Sequence, residues 1–192
     1  EGTHAGTWGW NVQTGETVFN ETWAEIVGYS LAELAPTTIA TWQALAHPDD
    51  LRRSGELLAR HFAGELPSYD CECRMKHRDG RWVWVHDRGR VMTRTDDGKP
   101  LLMFGTHVDI TERKQAEEAL LAKTEELDRY FSSSLDLLCI ADTDGRFLRL
   151  NPEWEKTLGY PLAELEGRFF LDLVHPDDQG STREAIARLG AQ

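Results

Sequence analysis

The chain is poor in cysteine: Cys71, Cys73 and Cys139 are the only three in 192 residues. Three cysteines make no disulfide framework, and Cys71-Glu72-Cys73 with scattered histidines lacks a zinc-binding spacing. No metal site is expected. No apolar run approaches the roughly 18 residues that cross a bilayer, and Glu1-Gly2-Thr3-His4 has neither basic nor hydrophobic signal character. We therefore expect a cytoplasmic segment of a longer protein, without membrane contact of its own. Positive charge is also short. Lys plus Arg number 21 against 33 Asp plus Glu, a net charge of -12 that repels phosphate backbones and argues against nucleic acid as a partner. No nucleophile and base stand at a family spacing, and no Gly-rich phosphate loop occurs, so the segment reads as regulatory and not as an enzyme.

Glycine and proline are missing from 106 to 144, where Ala, Glu, Leu, Lys and Gln dominate residues 112 to 127. These residues cost least in a helix, so one is expected from about 111 to 131, roughly 30 Å long. Asp109 and Glu112 have the spacing of a capping box at its start. Ala116, Leu120, Leu127 and Phe131 form a seam interrupted at Lys123-Thr124, which predicts pairing with a second helix. What is abundant is aromatic: seven Trp and seven Phe within 40% hydrophobic residues suffice for a packed core.

The chain repeats itself. Asn20-Glu21-Thr22-Trp23, Val27-Gly28-Tyr29-Ser30-Leu31-Ala32-Glu33-Leu34 and His47-Pro48-Asp49-Asp50 return as Asn151-Pro152-Glu153-Trp154, Leu158-Gly159-Tyr160-Pro161-Leu162-Ala163-Glu164-Leu165 and His175-Pro176-Asp177-Asp178. The order is kept, which chance rarely gives. Residues 1–110 are read as one domain, 111–131 as a linker helix, and 132–192 as the first half of a second domain lacking three strands. That half copy is expected to need cover from outside itself.

In the first copy, Trp8, Trp10 and Val12 alternate as in a strand, and Thr14-Gly15-Glu16 turns into a second one at Thr17–Asn20. A long helix follows Pro48-Asp49, with Leu51, Leu57, Leu58 and Phe62 on its buried side. The Asp pairs after His-Pro are read as first-turn acids. Tyr69, Cys71, Cys73 and Met75 alternate with charged residues, and Asp79-Gly80 and Asp97-Gly98 mark two hairpins. A two- or four-residue loop at Asp79-Gly80 sets Met75 opposite Trp84 and Cys73 opposite His86, on one face; a three-residue loop reverses the assignment. Trp82-Val83-Trp84-Val85 is apolar on both faces, so the outer face is expected to meet a helix or a second subunit. The class is α+β, with a five-stranded antiparallel sheet.

Asn20, Gly28-Tyr29-Ser30, Glu33-Leu34, His47-Pro48-Asp49-Asp50, Asp79-Gly80 with Trp82-Val83, and Gly105 with Asp109-Ile110-Thr111 together resemble the PAS sensory domains with a PAC-type ending. Such domains occur in bacterial sensor histidine kinases and cyclic-dinucleotide enzymes. The resemblance spans residues 6 to 111, and 131 to 192 for the first half of a second domain. It implies a sheet in the order 2-1-5-4-3, short helices on one face, a cavity between them, and a helix carrying signals onward. Flavin photochemistry in such domains uses a cysteine in an Asn-Cys-Arg-like stretch, which is absent. Haem-binding members use a histidine near the end of the long helix. His61 lies there, but Ala59-Arg60 and Phe62-Ala63 do not reproduce the haem signature, so it reads as a surface or interface histidine. The cofactor is left open between a non-covalent flavin, haem, a small organic molecule and none.

The candidate ligand residues are Trp23, Trp42, Cys73, Met75, Trp84 and His86, the last as the polar group that orients a ligand. The candidate coupling residues are Asp109, Ile110, Thr111, Leu120 and Leu127. The expected partners are a second copy, through the linker helix or the outer sheet face, and an effector domain of the parent chain. The expected mechanism is a population shift in sheet and linker. The rival is a ligand-free dimerisation relay with a side-chain-filled core.

Overall fold

The computed structural model describes residues 5 to 189, so the N-terminal stretch Glu1 to His4 read above lies outside the described residues. It divides into two compact units, Glu1–Glu118 and Ala119–Gln192. The first unit holds β1 (Ala5–Asn11), β2 (Thr17–Phe19), α1 (Glu21–Ile26), α2 (Leu31–Leu34), α3 (Ile39–Leu45), α4 (Pro48–Phe62), β3 (Tyr69–Lys76), β4 (Trp82–Arg94) and β5 (Pro100–Asp109). Its strands form one antiparallel sheet in the order β2-β1-β5-β4-β3. Long-range pairing of β1 with β5 closes the meander, and the inner face carries the core of Phe19, Trp23, Val27, Trp42, Tyr69, Cys73, Met75, Val83, Val85 and Met103.

Polar side chains set where the helices begin. Asn20 Oδ1 accepts from Trp23 N at 3.0 Å, opening α1, and from Thr7 N at 2.8 Å, tying α1 to β1. Ser30 and Glu33 form a reciprocal capping box on α2. His47 Nδ1 accepts from Asp49 N at 3.2 Å, and Pro48 occupies the first helical position of α4, where no N–H is needed. Between α1 and α2, Gly28 adopts φ 79° with the His77 ring packed where a Cβ would stand, so only glycine fits.

The β3–β4 hairpin corrects one expectation. Its loop is the five residues His77 to Arg81, an odd number, so Met75 pairs with Val83 and Cys73 with Val85. Trp84 and His86 then pair with Arg74 and Glu72 and point to the outer face. The two halves of the proposed ligand set are thus on opposite sides of the sheet. His86 Nε2 lies 2.7 Å from Asp70 Oδ1 on that outer face, with no role in the interior.

Helix α5 (Thr111–Ser133) follows β5 without a break. Asp109 is still paired with Val85 in the ladder, and its Oδ1 accepts from Thr111 N at 2.8 Å. This closes a turn two residues long, one residue too early for a capping box with Glu112. In α5, Leu120, Leu121, Leu127 and Tyr130 are all exposed.

The second unit contains β6 (Cys139–Ala141) and β7 (Phe147–Leu150), then α6 (Glu153–Leu158), α7 (Leu162–Leu165), two short 3-10 turns and α8 (Gln179–Leu189). Phe147, Leu150 and Leu165 form its core, with Trp154, Leu162, Phe170 and Leu173 around them. Asn151 repeats the work of Asn20: fully buried, it accepts from Leu138 N at 3.1 Å and donates to Asp136 O at 2.9 Å. His175 likewise repeats His47, accepting from Asp177 N. Among the described residues this unit has two strands, and Ile140, Leu148, Leu158 and Tyr160 remain exposed.

Candidate functional site

The inner face of the first unit encloses a cavity of about 40 Å³ between the sheet and helices α3 and α4, lined by Trp8, Trp10, Thr17, Phe19, Ile39, Trp42, Ser54, Leu58, Tyr69, Asp87 and His107. The Trp8 ring in its wall can lie against the sheet because two glycines face each other across β4 and β5, Gly89 and Gly105. A Cβ on either would stand within 2.5 Å of the Trp8 indole, which lies flat over both. Trp8 Nε1 donates to Asp87 Oδ1 at 2.9 Å, and Asp87 Oδ2 lies 3.0 Å from His107 Nε2. Asp87 and His107 are 4% and 2% exposed, so this pair is shielded from water and holds the centre of the sheet. Ser54 Oγ and Tyr69 Oη meet at 2.8 Å, and burial pushes the Tyr69 phenol well up, with the Asp87 charge adding to it.

Of the six candidate ligand residues, Trp42 lines the cavity. Trp23 is buried beside it, stacked on Phe19 with ring centroids 3.7 Å apart, while Cys73 and Met75 are buried in the surrounding core. Burial also drives the Cys73 thiol strongly upward, which keeps it protonated and unreactive. Asp87 and His107 were missed by the sequence reading. Their signal was present, since each lies on the strand parity of a buried neighbour, Val85 or Met103, where a charged or polar residue demands a partner.

Neither haem nor flavin fits this interior. The cavity is far below the roughly 300 Å³ at which drug-sized ligands are accommodated, and the Trp8 ring occupies the space over Gly89 and Gly105. His61 cannot serve as an iron ligand as placed. Its Nδ1 lies 2.8 Å from Leu66 O in the loop after α4 and its Nε2 accepts from Val91 N of β4 at 3.0 Å, so both ring nitrogens are engaged. It is buried, not on the surface. Among the described residues no cluster of His, Cys, Asp and Glu could hold a metal ion, and no helix is long and apolar enough to cross a membrane.

On the other side of the sheet lies the junction with α5. Ile110 N donates to Trp84 O at 2.9 Å, and Trp84 N donates to Thr111 Oγ1 at 3.0 Å. Strand β4, which lies between β5 and the edge strand β3, thus grips the start of α5 by one backbone bond, to Ile110, and one bond to the Thr111 hydroxyl. Glu72 on β3 adds a second grip, with Oε1 at 2.5 Å from Arg113 Nη2 and Oε2 at 2.5 Å from Lys114 Nζ. Lys114 and Arg113 pull the Glu72 carboxyl from an ordinary 4.5 down to about 2. Its folded value is depressed, so this contribution is complete above 4.5 and is lost only as pH falls from there toward 2.

Trp84 lies between two cations, with Lys114 Nζ 5.2 Å and Arg74 Cζ 5.4 Å from its ring. Arg74 continues the network around the sheet edge. Asp50, from the His-Pro-Asp-Asp stretch, accepts from Arg74 N and Nε at 2.8 Å each and from Nη2 at 3.1 Å. Burial works to raise the Asp50 carboxyl, and the Arg74 bonds and charge outweigh it. So Asp50 is more than a first-turn acid: it closes the edge N–H of β3 and connects α4, through Arg74 and Trp84, to the start of α5. Of the coupling candidates, Asp109, Ile110 and Thr111 sit in this junction, while Leu120 and Leu127 lie beyond it on the exposed part of α5.

Comparison with known proteins agrees with this architecture. A family model described as PAS fold matches residues 16–107 and 147–191. The crystal structure of a sensory box histidine kinase/response regulator from Burkholderia thailandensis is similar at 34% identity and a TM-score of 0.58, covering 66% of this chain and 92% of that one. A probable diguanylate cyclase of Escherichia coli is 32% identical over 99 residues, which is 52% of this chain and 9% of that protein. An uncharacterized protein of Sinorhizobium fredii is 28% identical over 150 residues, 78% of this chain and 17% of that protein. The chain therefore spans under a fifth of the length of these two curated relatives.

Proposed function

The chain belongs to the PAS fold family as a sensory signal-transduction module, and from that premise we propose that its first unit biases a helical relay, α5, toward an effector domain in a longer chain. The observation that carries this reading is the junction: the same strand, β4, supplies Asp87 to the cavity and the Trp84 backbone to Thr111. A change of packing around Asp87 shifts β4 and with it the anchor of α5. The effector, by the relatives' own names, is a histidine kinase or a diguanylate cyclase domain.

Thr111→Val tests this in the parent protein. Valine keeps the shape of threonine and removes the acceptor of Trp84 N. The first unit should stay folded while the signal-dependent change in output shrinks about fivefold or more, as expected when a coupling interaction is lost. An undiminished response would remove the junction from the mechanism.

The reading includes a dimer through α5, supported by the exposed Leu120, Leu121, Leu127 and Tyr130 on one uninterrupted helix. Sedimentation equilibrium should show a dimer that Leu120→Asp dissociates, because the carboxylate enters an apolar seam. The first unit should keep its tryptophan fluorescence in that variant. A wild-type chain that remains monomeric at high micromolar concentration contradicts this part of the proposal.

A further inference from the structure

Helix α5 is held to the sheet at two levels of different physical character. Nearest the strand, Ile110 and Thr111 make neutral hydrogen bonds to Trp84. Within the next turn, Arg113 and Lys114 reach Glu72 on β3 as ion pairs, and these three side chains are 46%, 27% and 32% exposed. Neutral bonds respond weakly to dissolved salt. Ion pairs open to water are screened by it, since the Debye length falls from about 10 Å at 0.1 M to about 3 Å at 1 M ionic strength.

The two cations also have an alternative partner. Glu117, on α5 itself, lies 2.7 Å from Arg113 Nη1 and 3.7 Å from Lys114 Nζ. Both therefore keep a carboxylate when they leave Glu72, and Glu72, already a third exposed, is rehydrated. On the sheet side the neighbours are fixed independently of α5. Arg53 donates to the Glu72 carbonyl oxygen, and Asp50 holds Arg74 beside the Trp84 ring.

We propose that Glu72, Arg113 and Lys114 form an ionic latch that monovalent salt opens, so that α5 turns on its neutral anchor at Ile110 and Thr111 as ionic strength rises. This rests on the reading of the junction as the output of the first unit, and it names a stimulus for it, the salt concentration of the surrounding solution. Such a stimulus acts on the outer side of the sheet and requires no occupant of the small interior cavity. Because α5 carries its own carboxylate for the cations and β3 keeps its bonds, the closed and open arrangements differ by a few exposed charge contacts, which is the range over which screening decides.

Trp84 supplies the probe. Lys114 Nζ lies over its ring, 5.2 Å from the centroid, so the ring current sets the ε-methylene signal of Lys114 apart from those of the other four lysines while the latch is closed. The test is an NMR titration of the whole chain, isotope-labelled at lysine, with potassium chloride from about 0.05 M to about 1 M. Lys114→Arg assigns the signal. It should move toward the other lysine signals, with the open-to-closed ratio rising about threefold to fivefold, as expected for exposed ion pairs. Sucrose at equal osmolarity should leave it in place. Glu72→Gln should put the signal among the others at low salt and abolish the response. Residual dipolar couplings of the N–H groups of residues 112 to 118, referred to those of the sheet, should change together over the same range. A signal that salt does not move, a response that sucrose reproduces or Glu72→Gln retains, or couplings that stay constant while the signal moves overturns the proposal. Each of these outcomes leaves the Thr111→Val test standing, because that variant alters the neutral anchor and keeps all three charged side chains.

Discussion

Asp87→Ala is expected to destabilise the first unit by roughly 2–6 kcal/mol, since it strands two buried donors at about 1–3 kcal/mol each. The donors are Trp8 Nε1 and His107 Nε2, at 2.9 and 3.0 Å from the two carboxylate oxygens. A loss of that size is a large part of the whole stability of a domain. The comparison is Asp70→Ala on the outer face, where the carboxylate is 50% exposed and pairs with His86 and Arg88. An exposed pair contributes about 0–1 kcal/mol, so that variant should unfold almost as the wild type does. Urea unfolding followed by tryptophan fluorescence reports mainly on this unit, because six of the seven tryptophans lie in it. Equal midpoints for the two variants would mean that Asp87 does not hold the interior together.

The second large effect belongs to a residue with no side chain. At Gly105 an added Cβ would stand 2.1 Å from the Arg88 carbonyl oxygen and 2.3 Å from the Trp8 ring. The oxygen is part of the β4 ladder and cannot move away cheaply, so Gly105→Ala should cost at least the roughly 1–3 kcal/mol of an overpacked core. It should also lift Trp8 off the sheet into the cavity and break its bond to Asp87. Gly55 supplies a control of opposite sign: it sits in α4 with nothing within 4 Å of an added Cβ. Gly55→Ala should stabilise by about 0.5–1 kcal/mol through helix propensity alone. The check is a thermal melt of each variant. A Gly105→Ala chain melting with the wild type would show that the paired glycines are not needed to seat the Trp8 ring.

Much of this architecture is legible in the chain because it rests on local chemistry. Asn20, the Ser30–Glu33 box and Pro48 signal helix starts through hydrogen bonds within a few residues, and the internal repeat exposes the second half copy. The strand alternation of Tyr69, Cys71, Cys73 and Met75 sorts itself into buried and exposed faces as expected. The site is legible only in part. The register of β3 against β4 depends on whether the loop has an odd or an even number of residues, and a strong Asp-Gly signal does not settle that. One residue of difference moves Trp84 and His86 from the cavity to the outer face. The Asp87–His107 pair and the role of Asp50 arise from contacts between residues 20 and 24 positions apart. Nothing in local pattern brings such partners together. Asp109 shows the intermediate case, where the right side chain caps the turn by a bond to Thr111 instead of the reciprocal box with Glu112.

The central claim is that the sheet fixes the direction in which α5 departs, through Thr111 and Glu72. Spin labels on exposed sites of the same unit, at Gln115→Cys on α5 and Thr93→Cys on β4 with Cys139→Ser to leave no other accessible thiol, measure that direction by pulsed electron resonance. A single narrow distance distribution is predicted for this background. Adding Thr111→Val and Glu72→Gln should broaden or displace it, because both grips on the first turn are then weakened. A distribution that stays narrow and unmoved in the double variant would contradict the account.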